Sequence, residues 1–421
     1  MARTHGKNAF LFVIVTVALD LLAFGIFIPV VPDFLTEITG KSESETVAIS
    51  GFLTATFGVV NFLMMPTLGN LSDRFGRRPV LLTSIAVLCI DFLIMGFAHS
   101  LFILFIGRAL AGLASATYST ASAYIADVTE PENRSRAFGM IGAAFGFGFV
   151  FGPVIGGLLG DIHTRLPFFV SAGIAACNFL YGLFVLPESL DKEHRRPFDI
   201  KRSNPLGAFT HFAKLPKIAW FLVAVSIFGL AHAVYPGSWN FYGAIRYGWD
   251  SQHIGLSLGF VGISSAIVQA LLVGPITKKI GPEKAAYVGF SFSVFGMFAM
   301  AFAFEGWMAY TVIVMSALSG IANPSLQTMM TSVTPRNAQG ELQGAMASLQ
   351  SLSMIIGPVM MTQILHYFTQ PEAPIYFAGA NFLLAGTLAA IAMVPLIIGI
   401  RSNHDEIQHV VAKATDTPEP T

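Results

Sequence analysis

Apolar residues in this chain come in repeated long runs separated by short polar punctuation. A helix needs about 20 apolar residues to cross a bilayer. Cutting at charged clusters, prolines and glycines leaves twelve such runs. Six start near residues 9, 47, 79, 101, 137 and 165, and six near 217, 251, 284, 306, 341 and 374. The stretch between the two sets, Pro187 to Lys217, is polar, basic and proline-containing. The pattern predicts an all-α membrane protein of twelve transmembrane helices in two pseudo-symmetric six-helix bundles. The expected parts are an N-terminal bundle over 1–187, a cytoplasmic linker over 188–216, a C-terminal bundle over 217–400 and a cytoplasmic tail over 401–421.

The two halves read as copies. "GNLSDRFG" begins at Gly69 and "GPITKKIG" at Gly274, an offset of 205 residues. Gly152-Pro153 and Gly357-Pro358 have the same offset. The second copy of the loop has lost the acid and most of the arginines, so it is the degenerate one.

Composition strengthens the membrane reading. The chain has 421 residues, 54% hydrophobic and 11% charged, against roughly 25% charged in a soluble protein. Its net charge is zero, so no attraction to nucleic acid follows. The N-terminal run is too long for a signal peptide and is interrupted by Asp20, so it reads as an uncleaved first span. Lys and Arg are sharply asymmetric: 20 of the 24 fall on the side of the N-terminus, the linker and the tail, and three (Lys41, Arg165, Arg246) on the other. By the positive-inside rule both termini and the linker are cytoplasmic. Cys89 and Cys177 both sit in apolar runs, which favours two core thiols over a disulfide or metal site. No metal and no cofactor is expected, and there is no Gly-Lys-Ser/Thr phosphate loop through which ATP could drive the protein.

Several polar groups stand out against this background. Asp20 lies mid-span, where a charge costs about 2.5–3.5 kcal/mol on insertion scales. A residue that expensive faces a cavity or a partner, and a carboxyl there can load and release protons. Asp91, about a third of the way into span three, could serve the same route. Arg108 is the only basic residue within a span and must pair with a carboxylate or line water. The second half offers no mid-span carboxylate: Asp250, Glu305 and Glu341 fall at span ends. A proton site therefore belongs to the N-terminal half, with His232 and His366 as the groups to watch in the other. The glycines at 148, 152, 156 and 160 form one smooth helix face that lets a neighbouring backbone approach, and Pro153 favours a kink beside it. Asn61, Asn178, Gln269, Asn323, Gln327, Gln343 and Gln350 lie within apolar spans. A mostly apolar cavity with a few such groups suits amphipathic, multi-ring compounds.

Twelve spans in a six-plus-six repeat with "GNLSDRFGRR" between spans two and three resemble the major facilitator superfamily, a repeat-built transporter fold. The loop pattern is matched at Gly69, Leu71, Asp73, Arg74, Gly76, Arg77 and Arg78. "GFGFVFGPVIGG", with Gly148, Gly152, Pro153, Gly156 and Gly157, resembles the span-five signature of drug/proton antiporters. "ALDLLAFGIFIPVVPDFL" and "LAGLASATYSTASAYIADVTEPENRSRAFG" are similar to the tetracycline/proton antiporter branch. The resemblance implies alternating access and a place for Arg108 in the coupling network, beside the proton route read above for Asp20 and Asp91; the functional reading of the span-five glycines is a sealed, bendable interface between the halves. Tetracycline antiporters carry a histidine in span eight, an aspartate in span nine and a glutamine in span two. The positions here are Ser265, Ser293 and Asn61, so efflux follows from the resemblance and tetracycline itself does not.

The expected function is proton-coupled efflux of an amphipathic small molecule or drug by alternating access, not catalysis. The alternatives are a proton-coupled importer of a metabolite or siderophore and a non-transporting receptor. Asn61, Gln269, Asn323, Gln327 and Gln350 are the expected substrate-cavity groups. Gly69, Asp73, Arg74, Gly76, Arg77, Arg78 and Asp127 form the expected conformational gate. In it Asp73 would sit near Gly340 to Gln343, where a helix dipole favours an anion, and the arginines would reach Asp127. Expected partners are the small-molecule substrate, protons and the lipid bilayer. No nucleic acid is expected, and the protein is expected to act as a monomer in a bacterial inner membrane.

Overall fold

A computed structural model describes residues 2–114, 117–130, 133–199, 216–335 and 338–415. The rest of the expected linker, 200–215, and the last six residues of the tail lie outside the described residues. What is described is helical, with no strand among it. Ten helical stretches are long and apolar enough to cross a membrane, and Leu101–Leu113 is a shorter apolar helix. One of the ten, Ser251–Ala301, is 51 residues long and turns at Gly281, whose φ is 78°. Counted as two, it brings the spans to the expected twelve.

Sixteen α-helices make these spans. In the first half they are α1 (Ala2–Phe27), α2 (Val31–Thr39), α3 (Glu43–Phe75), α4 (Arg77–Phe97), α5 (Leu101–Ala114), α6 (Thr117–Val128), α7 (Arg134–Ile162) and α8 (Leu166–Val185). In the second they are α9 (Ala219–His232), α10 (Val234–Tyr247), α11 (Ser251–Ile267), α12 (Val273–Ala301), α13 (Gly306–Ser316), α14 (Ala322–Ser332), α15 (Gln339–Thr369) and α16 (Ala380–Thr415). Four spans that read as continuous in the sequence are irregular. Span one passes through a 3-10 turn at Ile28–Val30 beside Pro29 and Pro32. Span eight contains a π-helical stretch, Val268–Leu272, and span ten a 3-10 stretch, Ala317–Ile321. Span seven breaks between His232 and Val234. The last span starts at Ala380, later than the hydropathy break near 374.

Chain ends follow local chemistry. Ser42 and Glu45 form a reciprocal capping box at the start of α3, satisfying two backbone donors that a helix start leaves open. Gly40 closes α2 in a left-handed conformation, which costs glycine nothing.

Packing divides the chain into two compact units, Met1–Pro205 with Gly243–Gly262, and Leu206–Tyr242 with Ile263–Thr421. In the first, Phe12, Val17, Leu81, Ile85, Tyr124 and Ile141 centre the core. In the second, Phe221, Phe228, Phe290, Leu326, Met330 and Leu396 do so. Lipid tails are as apolar as these side chains, so close van der Waals packing, not expulsion of water, holds such helices together. Large apolar side chains on the outside, Phe102, Phe184, Leu271 and Val394 among them, suit a lipid-facing surface. Cys89 is half-buried and bonded to the Ala172 carbonyl, while Cys177 is exposed. The second is thus not a core thiol; it lies on an outer face of α8.

Candidate functional site

Asp20 lies on α1 and is 9% exposed. Asn178 on α8 donates its Nδ2 to Asp20 Oδ1 at 3.3 Å and to the Thr16 carbonyl at 3.1 Å. The Thr117 side chain, at the start of α6, is also hydrogen-bonded to Asp20. No cation lies within ion-pair distance of this carboxyl among the described residues. Asn178 is fully buried. It belongs to Asp20 and not, as its place in an apolar run suggested, to a substrate surface.

Asp91 and Arg108 make a second buried group. Asp91 lies toward the Phe97 end of α4, deeper than a third of the way in, and is fully buried. Arg108 on α5 is 2.5 Å from Asp91 Oδ2, and its guanidinium lies 5.2 Å from the centre of the Phe27 ring. Asp91 Oδ1 and Arg108 Nε have no hydrogen-bond partner. The two buried acids therefore differ in kind. Asp20 is held by neutral side chains, so protonating it strands no charge. Protonating Asp91 leaves a guanidinium without its counter-charge.

The loop between α3 and α4 turns at Gly76, φ 105° and ψ 161°, a region essentially reserved for glycine. Arg77 is its hub. One guanidinium nitrogen lies 2.6 Å from both Ser72 Oγ and Asp73 Oδ1, and Nε is 3.2 Å from Asp127 Oδ2 at the end of α6. Arg77 alone of the three arginines reaches Asp127. Arg74 lies over the Phe75 ring at 5.1 Å, and Arg78 donates to the Leu183 carbonyl at 2.7 Å. Gly69 has open space where a side chain would go. Sequence reasoning missed Glu188, which accepts the backbone N–H groups of Arg77 and Arg78 at 2.8 and 3.3 Å. Its signal was an acid just past the end of span six, read only as linker.

The span-five glycines are a close-packing face shared between two neighbours, α1 and α11. A side chain at Gly148 would meet Leu21, at Gly152 the backbone of Gly25, and at Gly156 the Ile26 carbonyl. These three pack on α1, inside the first half, while Gly160 meets both Val30 and, on α11, Ser251. Spacing gave the smooth face but not its neighbour. Gly157, one residue round the helix, meets Ser251 and Gly255 of α11, and the Pro153 carbonyl lies against Gly255. Ser251 also donates to Asp33 Oδ2 at 2.7 Å.

Among the expected substrate groups, Asn61 is half-buried and Gln269, Asn323, Gln327 and Gln350 are exposed. Gln269 sits in the π-helical stretch and donates to the Gly320 carbonyl, 3.2 Å away in the 3-10 stretch of span ten. Asn323 and Gln327 stand one turn apart on α14. Irregular backbone and carboxamides at membrane depth are tolerated where they face protein or a water-filled cavity.

In the second unit His232 Nδ1 is 3.1 Å from the Phe228 carbonyl and Nε2 is 3.3 Å from Ser293 Oγ. The carbonyl can only accept, so the Nδ1 proton is fixed. His366 is bonded to Gln370. Glu305 precedes α13 and Glu341 lies in the first turn of α15. Asp250 is outside the spans. Partial burial pushes its carboxyl up, but hydrogen bonds from the His253 backbone and imidazole outweigh that and hold it below its ordinary range. No cluster able to hold a metal ion occurs among the described residues.

A family model described as Major Facilitator Superfamily matches residues 13–358. The tetracycline resistance protein, class C, of Escherichia coli is 40% identical over 359 residues, 85% of this chain and 90% of that protein. The class D protein of Salmonella ordonez is 31% identical over 389 residues, 92% and 97% of the two chains. Among solved structures, the nucleoside transporter NupG is similar with a TM-score of 0.74 at 14% identity, over 92% of this chain and 99% of that one.

Proposed function

The chain belongs to the Major Facilitator Superfamily, a family of multi-pass membrane transporters, and from that premise we propose that it is a proton-coupled exporter of an amphipathic, multi-ring compound. The observation that carries the coupling half is Asp20, a buried mid-span acid whose partners among the described residues are all neutral. It takes a proton on one side and releases it on the other, and its charge never needs a cation to leave. The Asp91–Arg108 pair holds the helices around it in place. A membrane potential adds about 2.3 kcal/mol per charge per 100 mV.

Export is favoured over import because the relatives are named for tetracycline resistance. The substrate is a related amphipathic molecule, taken up by a mostly apolar surface with Asn61, Gln269, Asn323, Gln327 and Gln350 as its fixed polar points. The loop from Gly69 to Arg78, with Asp127, acts as a conformational gate. The protein works as a monomer in a bacterial inner membrane, with protons as co-substrate. Residues 1–187 and 217–400 are its two moving bundles, and both termini and the 188–216 linker are cytoplasmic, as the Lys and Arg asymmetry requires.

The test is reconstitution in liposomes with an imposed pH gradient and a fluorescent multi-ring drug. Drug movement driven by the gradient, with matching proton flux, is the expected result. Drug movement indifferent to the gradient contradicts coupling, and gradient-driven uptake in the opposite sense contradicts export.

A further inference from the structure

We propose that Glu188, with the strap it anchors, is a positioning residue of the loop gate: the chain leaving span six folds back and sets the loop's working geometry. One carboxylate gathers four backbone donors. Oε1 accepts the N–H groups of Arg77 (2.8 Å), Ser189 (3.0 Å) and Leu190 (3.1 Å), and Oε2 that of Arg78 (3.3 Å). Two of these are first-turn donors of α4, which have no partner inside the helix, at the end where the helix dipole favours an anion. Arg195 stands 3.8 Å from Oε2. The space for this carboxylate is the missing side chain of Gly76, since a Cβ there would fall on it. Gly76 therefore answers two demands, its backbone angle and the room Glu188 needs.

Past Glu188 the strap grips the loop from its other side. Ser189 Oγ donates to Asp127 Oδ2 at 3.2 Å, the oxygen that Arg77 also uses. The Arg196 N–H donates to the Asp73 carbonyl at 3.1 Å, and Asn70 Nδ2 donates to the Asp199 carbonyl at 2.7 Å. Upstream, Tyr124 donates its hydroxyl to the Pro187 carbonyl at 2.9 Å. Asp73, three residues before Gly76, and Arg77, the residue after it, are thus both bonded to the strap. The strap continues as the linker joining the two halves of the sequence, so a pull on the linker reaches Arg77 through Glu188.

This inference rests on reading the loop as a gate, and the experiment separates the two. In full-length transporter in proteoliposomes, turnover per folded molecule is measured with drug affinity by equilibrium binding. Glu188→Ala is expected to lower turnover at least tenfold with affinity and pH profile unchanged, and Glu188→Gln, which keeps one accepting oxygen, to recover part of it. A second variant compares the same molecule cross-linked and reduced. Asn70→Cys with Asp199→Cys, with Cys89→Ser and Cys177→Ser, is oxidised after purification. Turnover should fall on cross-linking and return on reduction. If Glu188→Ala reduces only the yield of folded protein, with normal turnover, or if the cross-linked strap turns over normally, the inference fails. If unmodified protein binds drug but moves none, the transport reading fails instead.

Discussion

The corners at Gly76 and Gly281 lie 205 residues apart and have nearly the same backbone: φ 105°, ψ 161° in one and φ 78°, ψ 161° in the other. Their surroundings differ. At the first corner the acid comes from the segment after span six, Glu188 reaching the start of α4. At the second the acid is local. Glu283 sits just past Gly281 and is held by His404 and Gln408 from the helix that continues span twelve, at 2.9 and 3.1 Å. The repeat has kept its turn and the habit of tying it to whatever follows the sixth helix, but not its charges. The ionic groups within the spans are as lopsided: the first unit holds Asp20, Asp91 and Arg108, while the second holds a His–Ser pair at His232 and keeps its buried acid, Glu283, at the corner. The two repeats share the backbone turn and not the charges.

The largest effect should come from splitting the ion pair of the first unit. Arg108→Ala leaves Asp91 buried without its partner, worth about 3–5 kcal/mol. Thermal unfolding in detergent should show it. His232→Gln in the second unit should cost far less, and equal losses would break the comparison.

Next come the corners. Gly281→Ala should cost about 1–3 kcal/mol for the forced backbone region alone, because nothing stands within 4 Å of the added methyl. Gly76→Ala should cost more, because its methyl also displaces Glu188. Denaturation of the two variants side by side measures the difference, and a larger loss at Gly281 would contradict it. The smallest effect belongs to an exposed ion pair of the second unit. Lys217–Glu406, 2.8 Å long and well exposed, should be worth no more than about 1 kcal/mol. Glu406→Gln should leave both melting and transport near normal.

Much of this was legible in the sequence. Twelve spans, the 205-residue repeat and the isolation of Asp20, Asp91 and Arg108 need only hydropathy and counting. The interruptions of spans eight and ten were not legible, since a π or 3-10 stretch changes hydrogen bonding without changing hydropathy. The direction of the span-five glycines was also hidden. A spacing of four defines a face, and only the fold puts Leu21 and Gly25 opposite it. Glu188 was missed because an acid just past the end of span six reads as linker, and the backbone donors it accepts do not point back to it.

The claim at the centre is that coupling resides in the first unit, at Asp20. It is tested most directly by measuring drug transport in proteoliposomes across a range of imposed pH gradients for Asp20→Asn and His232→Gln. Gradient-driven transport should fall by about two orders of magnitude in Asp20→Asn and lose its dependence on the gradient, while His232→Gln keeps that dependence. Transport by Asp20→Asn with the unmodified protein's gradient dependence would contradict the account.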